Sequence, residues 1–308
     1  MYSKLTSLVV AAVLAQLGLG QALANVSPDQ AARLKTTLTP LGAERAGNKD
    51  GTIPAWTGGL TALPPGLTGA DAMPDFFKGD AKVLTINAAN ADQYASRLSP
   101  GIIYMLKRYP GFRINVYPTH RTASAPQWFY DGTFKNATAA TLRDNNWVVG
   151  ARNGLPYPIP QNGKELAWDH NYAWFGVQTR GLGGTYIVSP NGTPLLNAMT
   201  VDQRWFPNVD PTYNSGSFLQ YYIAARESTE GPPNRVGEQI LSWNAFDETQ
   251  APQITWQYLV GQRRLRKAPQ VTYDGTFPDC GGIVTVDELA LWNGPPDRFD
   301  MKIIGKQE

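Results

Sequence analysis

His120, His170 and Cys280 supply all the imidazole and thiol of this 308-residue chain. A zinc site needs three or four such ligands at coordinating spacing. Here His120 lies in YPTHRTASAP, His170 in AWDHNYAWF beside Asp169, and Cys280 beside Gly281-Gly282, so no metal site is expected. A Ser-His-Asp hydrolase has no fixed spacing, and Ser124 stands near His120, but no G-x-S-x-G elbow occurs. GLGG at 181–184 follows no clear strand and precedes no helix, which reads as a turn rather than a phosphate loop. NKDG at 48–51 opens like a calcium loop, yet Gly59 occupies the position where the bidentate acid belongs, so it also reads as a turn. Each histidine is then a hydrogen-bonded residue holding a loop, and Cys280 a small hydrophobe. No catalytic residue and no cofactor are expected. A hydrolase using His120 or His170 as base ranks last among the functions considered.

The densest charge lies in WQYLVGQRRLRKAP, residues 256–269. Trp256 and Tyr258 alternate, then Arg263, Arg264, Arg266 and Lys267 follow. On a strand, Arg263, Leu265 and Lys267 face one way and Arg264 and Arg266 the other. One set should lie on the more enclosed side, where an arginine needs a carboxylate or phosphate partner. That partner is either an acid of the chain, such as Glu238, Asp274 or Asp287, or the headgroup of a bound lipid. Aromatic residues crowd Trp168–Phe175 and recur at Tyr221, Tyr222 and Trp243. They read as core, or as the wall of a cavity for a lipid-like ligand. Arg264, Arg266, Trp256, Tyr258, Trp168 and His170 are the candidate ligand-binding residues.

Several elements must position these side chains. Hydrophobic residues make up 42% and charged residues 17%, the composition of a globular protein. Residues 1–24 read as an export signal: Lys4, the apolar run 5–20, and Ala22-Leu23-Ala24 for cleavage after Ala24. No later run is long and apolar enough to span a bilayer, so a periplasmic protein of Gram-negative type is expected. Its 27 basic and 25 acidic residues give +2, or +1 once Lys4 is lost. Such a balance supplies no broad field for nucleic acid.

After the leader, Ser27, Pro28 and Gln30 form a capping-box pattern. Helices are predicted over 91–98, 100–109, 137–146 and after Asn162, and a half-buried strand over 112–118. GTYIVSPNGTPLLNAM reads as a hairpin turning at Asn191-Gly192. From Phe218 onward FLQYYIAAR, RVGEQILSW, QITWQYLV, RRLRKAP and RFDMKIIGK read as an antiparallel meander. The fold class is α+β, a large antiparallel sheet with helices on one face, in a single domain over 25–308.

TPLGAERAGNKDGTIPAWTGGL (39–60), YPTHRTASAP (117–126), PYPIPQNGKELAWDH (156–170), GPPNRVGEQIL (231–241), WQYLVGQRRLRKAP and MKIIGKQE carry a further resemblance. Through these blocks the chain resembles the bacterial domain-of-unknown-function family numbered 1329, grouped with the LolA/LolB-like lipoprotein-sorting fold of the outer membrane. The resemblance implies a curved, unclosed half-barrel with helices on or in its concave face. It also implies traffic of lipid or other hydrophobic cargo, because members occur beside resistance-nodulation-division exporters. Family members continue beyond the point where this sequence stops at GKQE, which implies a C-terminally truncated half-barrel. No anchoring cysteine stands at the cleavage site, so the soluble LolA-type carrier is the closer analogy. The expected function is a carrier that binds a lipid or hydrophobic small molecule. The alternative is an accessory protein of a resistance-nodulation-division export complex.

Overall fold

A computed structural model describes residues 26–306, leaving out 64, 69–72 and 269–270. The export signal and its cleavage site lie outside the described residues. The chain folds as two compact units, one formed by the chain up to Ala43 with Ala125 onward, the other by Glu44–Ser124.

The first described element is helix α1 (Pro28–Ala32), started as its sequence predicts. Ser27 accepts from the Gln30 N–H and Gln30 returns the bond to the Ser27 backbone, so two otherwise orphaned donors are satisfied. The Glu44–Ser124 unit holds β1 (Leu84–Ile86), a 3-10 turn over Ala91–Arg97, α2 (Pro100–Arg108) capped by Ser99, and β2 (Ile114–Val116). β1 and β2 pair antiparallel. The expected helix over 91–98 is thus the tighter 3-10 form. Much of the rest is loop held by one side chain: Arg121 donates to the carbonyls of Glu44, Arg45, Ala46 and Pro54.

The other unit resumes with α3 (Gln127–Ala139) and the hairpin β3 (Thr141–Arg143) and β4 (Trp147–Val149). This corrects the helix predicted over 137–146. Asp144 and Asn145 sit at φ 52° and 56°, a left-handed pair that Asp and Asn tolerate and that reverses the chain. The helix lies upstream instead, where aromatic residues and Gly132 obscure it. Gly132 is required by packing: a Cβ there would stand 2.1 Å from the Asn153 carbonyl oxygen. Asn136 fastens α3 to the following loop by donating to the carbonyls of Arg152, Gly154 and Leu155. Helix α4 (Gly163–Asn171) begins at Asn162 as expected, its side chain accepting from the Lys164 and Glu165 N–H groups.

Six strands follow: β5 (Gln178–Val188), β6 (Pro194–Trp205), β7 (Tyr221–Gly231), β8 (Gln239–Ala245), β9 (Ile254–Leu259) and β10 (Arg264–Lys267). They form one antiparallel sheet in sequence order, so the chain has the expected α+β composition and meander. Two readings are corrected. GLGG at 181–184 is not a turn but the middle of β5, where pairing with β6 overrides glycine's weak strand preference. MKIIGK is not a strand: its backbone at Met301–Lys302 lies so close to Gly163 that a Cβ there would meet it at 2.4 Å.

The main core joins α3 and α4 to one end of the sheet through Phe129, Tyr157, Trp168, Tyr172, Tyr222 and Phe246. Their polar tips are used internally, with Trp168 Nε1 donating to Asn146 O at 2.7 Å and Tyr157 Oη to Thr141 O at 2.7 Å. Among the described residues no helix is long and apolar enough to cross a membrane.

Candidate ligand-binding face

The six residues singled out from sequence do not converge. Trp168 is wholly buried in the core, while His170 is exposed on the same helix with Nε2 2.8 Å from Ala290 O. Its neighbour Asp169 does not pair with it; that carboxylate accepts from the Tyr157 N–H at 2.8 Å. Burial pushes the Asp169 carboxyl well up, against the lowering effect of that hydrogen bond. His120 belongs to the other unit, stacked on Phe77 at 3.7 Å and bonded to Asp80 at 2.6 Å. Both histidines hold loops, as expected. Burial, with Asp279 and Glu227 nearby, raises the Cys280 thiol, which disfavours the nucleophilic thiolate.

The remaining four are separated by the sheet. Directly paired residues of antiparallel strands share a face, and faces alternate along each strand. Lys267 pairs with Trp256 and Leu265 with Tyr258, whereas Arg266 pairs with Gln257 and Arg264 with Leu259. The two aromatics therefore lie opposite the two arginines. Arg263 precedes the strand at φ 50° and takes no part in the alternation. All four residues of β10 are exposed, so neither set of cations is enclosed. Among the described residues none of Arg263, Arg264, Arg266 or Lys267 forms an ion pair. Arg266 donates to Gln257 Oε1 at 3.3 Å, and the acids proposed as partners are engaged elsewhere, Glu238 by Arg235 and Asp274 by Arg298.

One face of the sheet is partly covered, over its middle strands. Its central row runs Gly181, Asp202, Glu227, Ile240, Gln257, Arg266. The turn at Pro278–Cys280 packs against β5 and β6. Arg235 holds that turn, bonding Asp279 at 2.5 Å, Glu238 at 2.8 Å and Asn197 O at 2.9 Å. The Asp279 side chain is only 3% exposed. Burial first, then the neighbouring Asp279 side chain, pushes the Glu227 carboxyl up to about 9. Thr255 and Gln257 are also buried on this side.

The opposite face is more open and mixes apolar with polar and basic residues. Its first row is Leu182, Val201, Ser228, Gln239, Tyr258, Leu265, and its second is Arg180, Gln203, Arg226, Leu241, Trp256, Lys267. A third row, Trp205, Ala224, Trp243, Ile254, is roofed by Phe218, whose ring lies 4.9 Å from Trp243 and 5.5 Å from Trp205. Among the described residues nothing comparable covers the first two rows: Leu182 is 70% and Leu265 65% exposed, and Tyr258 and Leu241 are exposed too. Soluble surfaces seldom carry contiguous apolar area without use. Sequence reasoning placed Trp256 and Tyr258 on one face but missed Arg180, Arg226 and Leu241. The Asn191-Gly192 turn signalled the β5–β6 hairpin, but a bulge at Thr185/Tyr186 shifts its register before Arg180.

A second concavity, a cleft of about 270 Å³, lies at the end of the sheet among Val148, Val149, Tyr172, Asn208, Leu219 and Phe246. That is just below the usual size of small-molecule sites. Among the described residues no group of three or more His, Cys, Asp or Glu is placed to hold a metal.

A family model described as Protein of unknown function (DUF1329) matches residues 85–308. Uncharacterized protein PA3922 of Pseudomonas aeruginosa is 38% identical over 291 residues, covering 94% of this chain. The chain spans 64% of that protein's length. No solved structure matches.

Proposed function

The chain belongs to the family of proteins of unknown function described as DUF1329, and from that premise we propose that it is a binding and carrier protein for a lipid or other hydrophobic ligand. In this reading the export signal is cleaved after Ala24, the protein works in the periplasm, and the meander is the sheet of a LolA-like unclosed half-barrel. The observation that carries the reading is the exposed apolar group of Leu241, Tyr258 and Leu265 beside Trp256. Each methylene of a ligand buried on such a surface contributes about 0.8 kcal/mol. An accessory role in an export complex would use the same face for a protein partner.

Native mass spectrometry of the exported chain, followed by solvent extraction, separates the two. A co-purifying apolar molecule, together with uptake of a fluorescent fatty acid, is the expected result. An empty protein that takes up no fatty acid would transfer the face to a protein partner and end the carrier reading.

A further inference from the structure

The open face carries charge as well as apolar surface, and the charge in its first two rows is positive. Its second row crosses the sheet from Arg180 on β5, through Arg226 on β7, to Lys267 on β10. All three are exposed, and among the described residues none forms an ion pair; Arg226 only donates to Gln239 Oε1 at 3.2 Å. The strand acids Asp202 and Glu227 point to the covered face, and the exposed Glu230 sits at the β7 bulge beside Gly231. Between Arg226 and Lys267 the row is filled by Leu241 and Trp256, and the next row supplies Tyr258 and Leu265. At about 4.8 Å between strands, Arg226 and Lys267 stand roughly 14 Å apart across that apolar floor. Arg226 and Lys267 therefore flank the apolar floor of Leu241 and Trp256, and Arg180 lies beyond Gln203 on the far edge.

We infer that the ligand of this face is a single anionic lipid, its carboxylate or phosphate head held by Arg226 with Lys267 or Arg180, and its chain lying over Leu241, Trp256, Tyr258 and Leu265. The inference rests on the carrier reading above and adds the sign of the headgroup. Arginine suits the role because its planar fork can donate two parallel hydrogen bonds to a carboxylate or phosphate. A membrane surface offers the same headgroups, but it would meet the face without surrendering a lipid monomer.

The test compares hexadecyl phosphate with hexadecanol, which share a chain and differ in the head, by titration into the full chain at low salt. The phosphate is expected to bind about tenfold more tightly, the effect of one charge-assisted hydrogen bond, and the preference should shrink as salt is added. Arg226→Gln, and separately Lys267→Gln, should bring the ratio toward one without weakening hexadecanol. Arg266→Gln, on the opposite face, should leave the ratio unchanged. Binding of neither amphiphile sinks the carrier reading itself. Equal binding of both, or a ratio untouched by Arg226→Gln and Lys267→Gln, overturns the inference alone. So does recovery of the protein on phosphatidylglycerol vesicles with no lipid monomer bound.

Discussion

The two faces of the six-stranded sheet are made by the same strands and invert the usual distribution of side chains. The covered face buries Thr255, Gln257 and Asp279 and half-buries Glu227, while the open face exposes Leu182, Leu241, Tyr258 and Leu265. Folding alone does not favour this arrangement, since burying polar groups costs free energy unless they are bonded and exposing apolar ones forgoes burial. On the covered face the cost is met by a bonded network around Arg235. On the open face nothing within the described chain compensates, and in the proposed carrier reading a bound ligand would do so.

Removing the network should have the largest effect. Arg235→Ala leaves Asp279 buried without its cation, and a loss of about 3 kcal/mol in unfolding free energy is expected by denaturant titration. A loss below about 1 kcal/mol would mean that the turn at Pro278–Cys280 is not held as described. A smaller effect should appear with pH. Glu227 keeps its proton to about 9 in the folded chain, against roughly 4.3 when unfolded. The folded state therefore binds the extra proton between those values, and the associated stability is present at low pH and lost as pH rises toward 9. Glu227→Gln should flatten that part of the melting-temperature profile, and an unchanged slope would assign it to other groups. The smallest effect on stability belongs to the open face. Trp256→Ala should cost no more than about 1 kcal/mol, while weakening fatty-acid binding at least tenfold in the same titration. A large loss of stability with binding intact would make Trp256 ordinary core and erase the contrast.

Much of the fold could be read directly from the chain. The capping box at Ser27, the Asn162 cap and the Asn191-Gly192 turn are local devices, and local physics decided them. The helix over Gln127–Ala139 was not legible, because Gly132 and its aromatic neighbours argue against a helix until the Asn153 loop that packs on Gly132 is known. GLGG became a strand for the same reason, since its partner β6 supplies what the glycines lack. At the site, alternation correctly put Trp256 with Tyr258. It could not say which cations accompany them, because that depends on pairing between strands far apart in sequence: Arg226 reaches Trp256 only through Leu241. Arg264 and Arg266 looked closer along the chain and lie on the wrong side.

The most direct test of the open face is photocrosslinking with hexadecyl phosphate carrying a diazirine in its chain, followed by peptide mapping. Adducts on Leu241, Trp256, Tyr258 and Leu265 are the predicted outcome, with loss of labelling when unmodified hexadecyl phosphate competes. Adducts confined to the Tyr172–Phe246 cleft, or competition that leaves labelling unchanged, would contradict the account and move ligand binding away from the sheet.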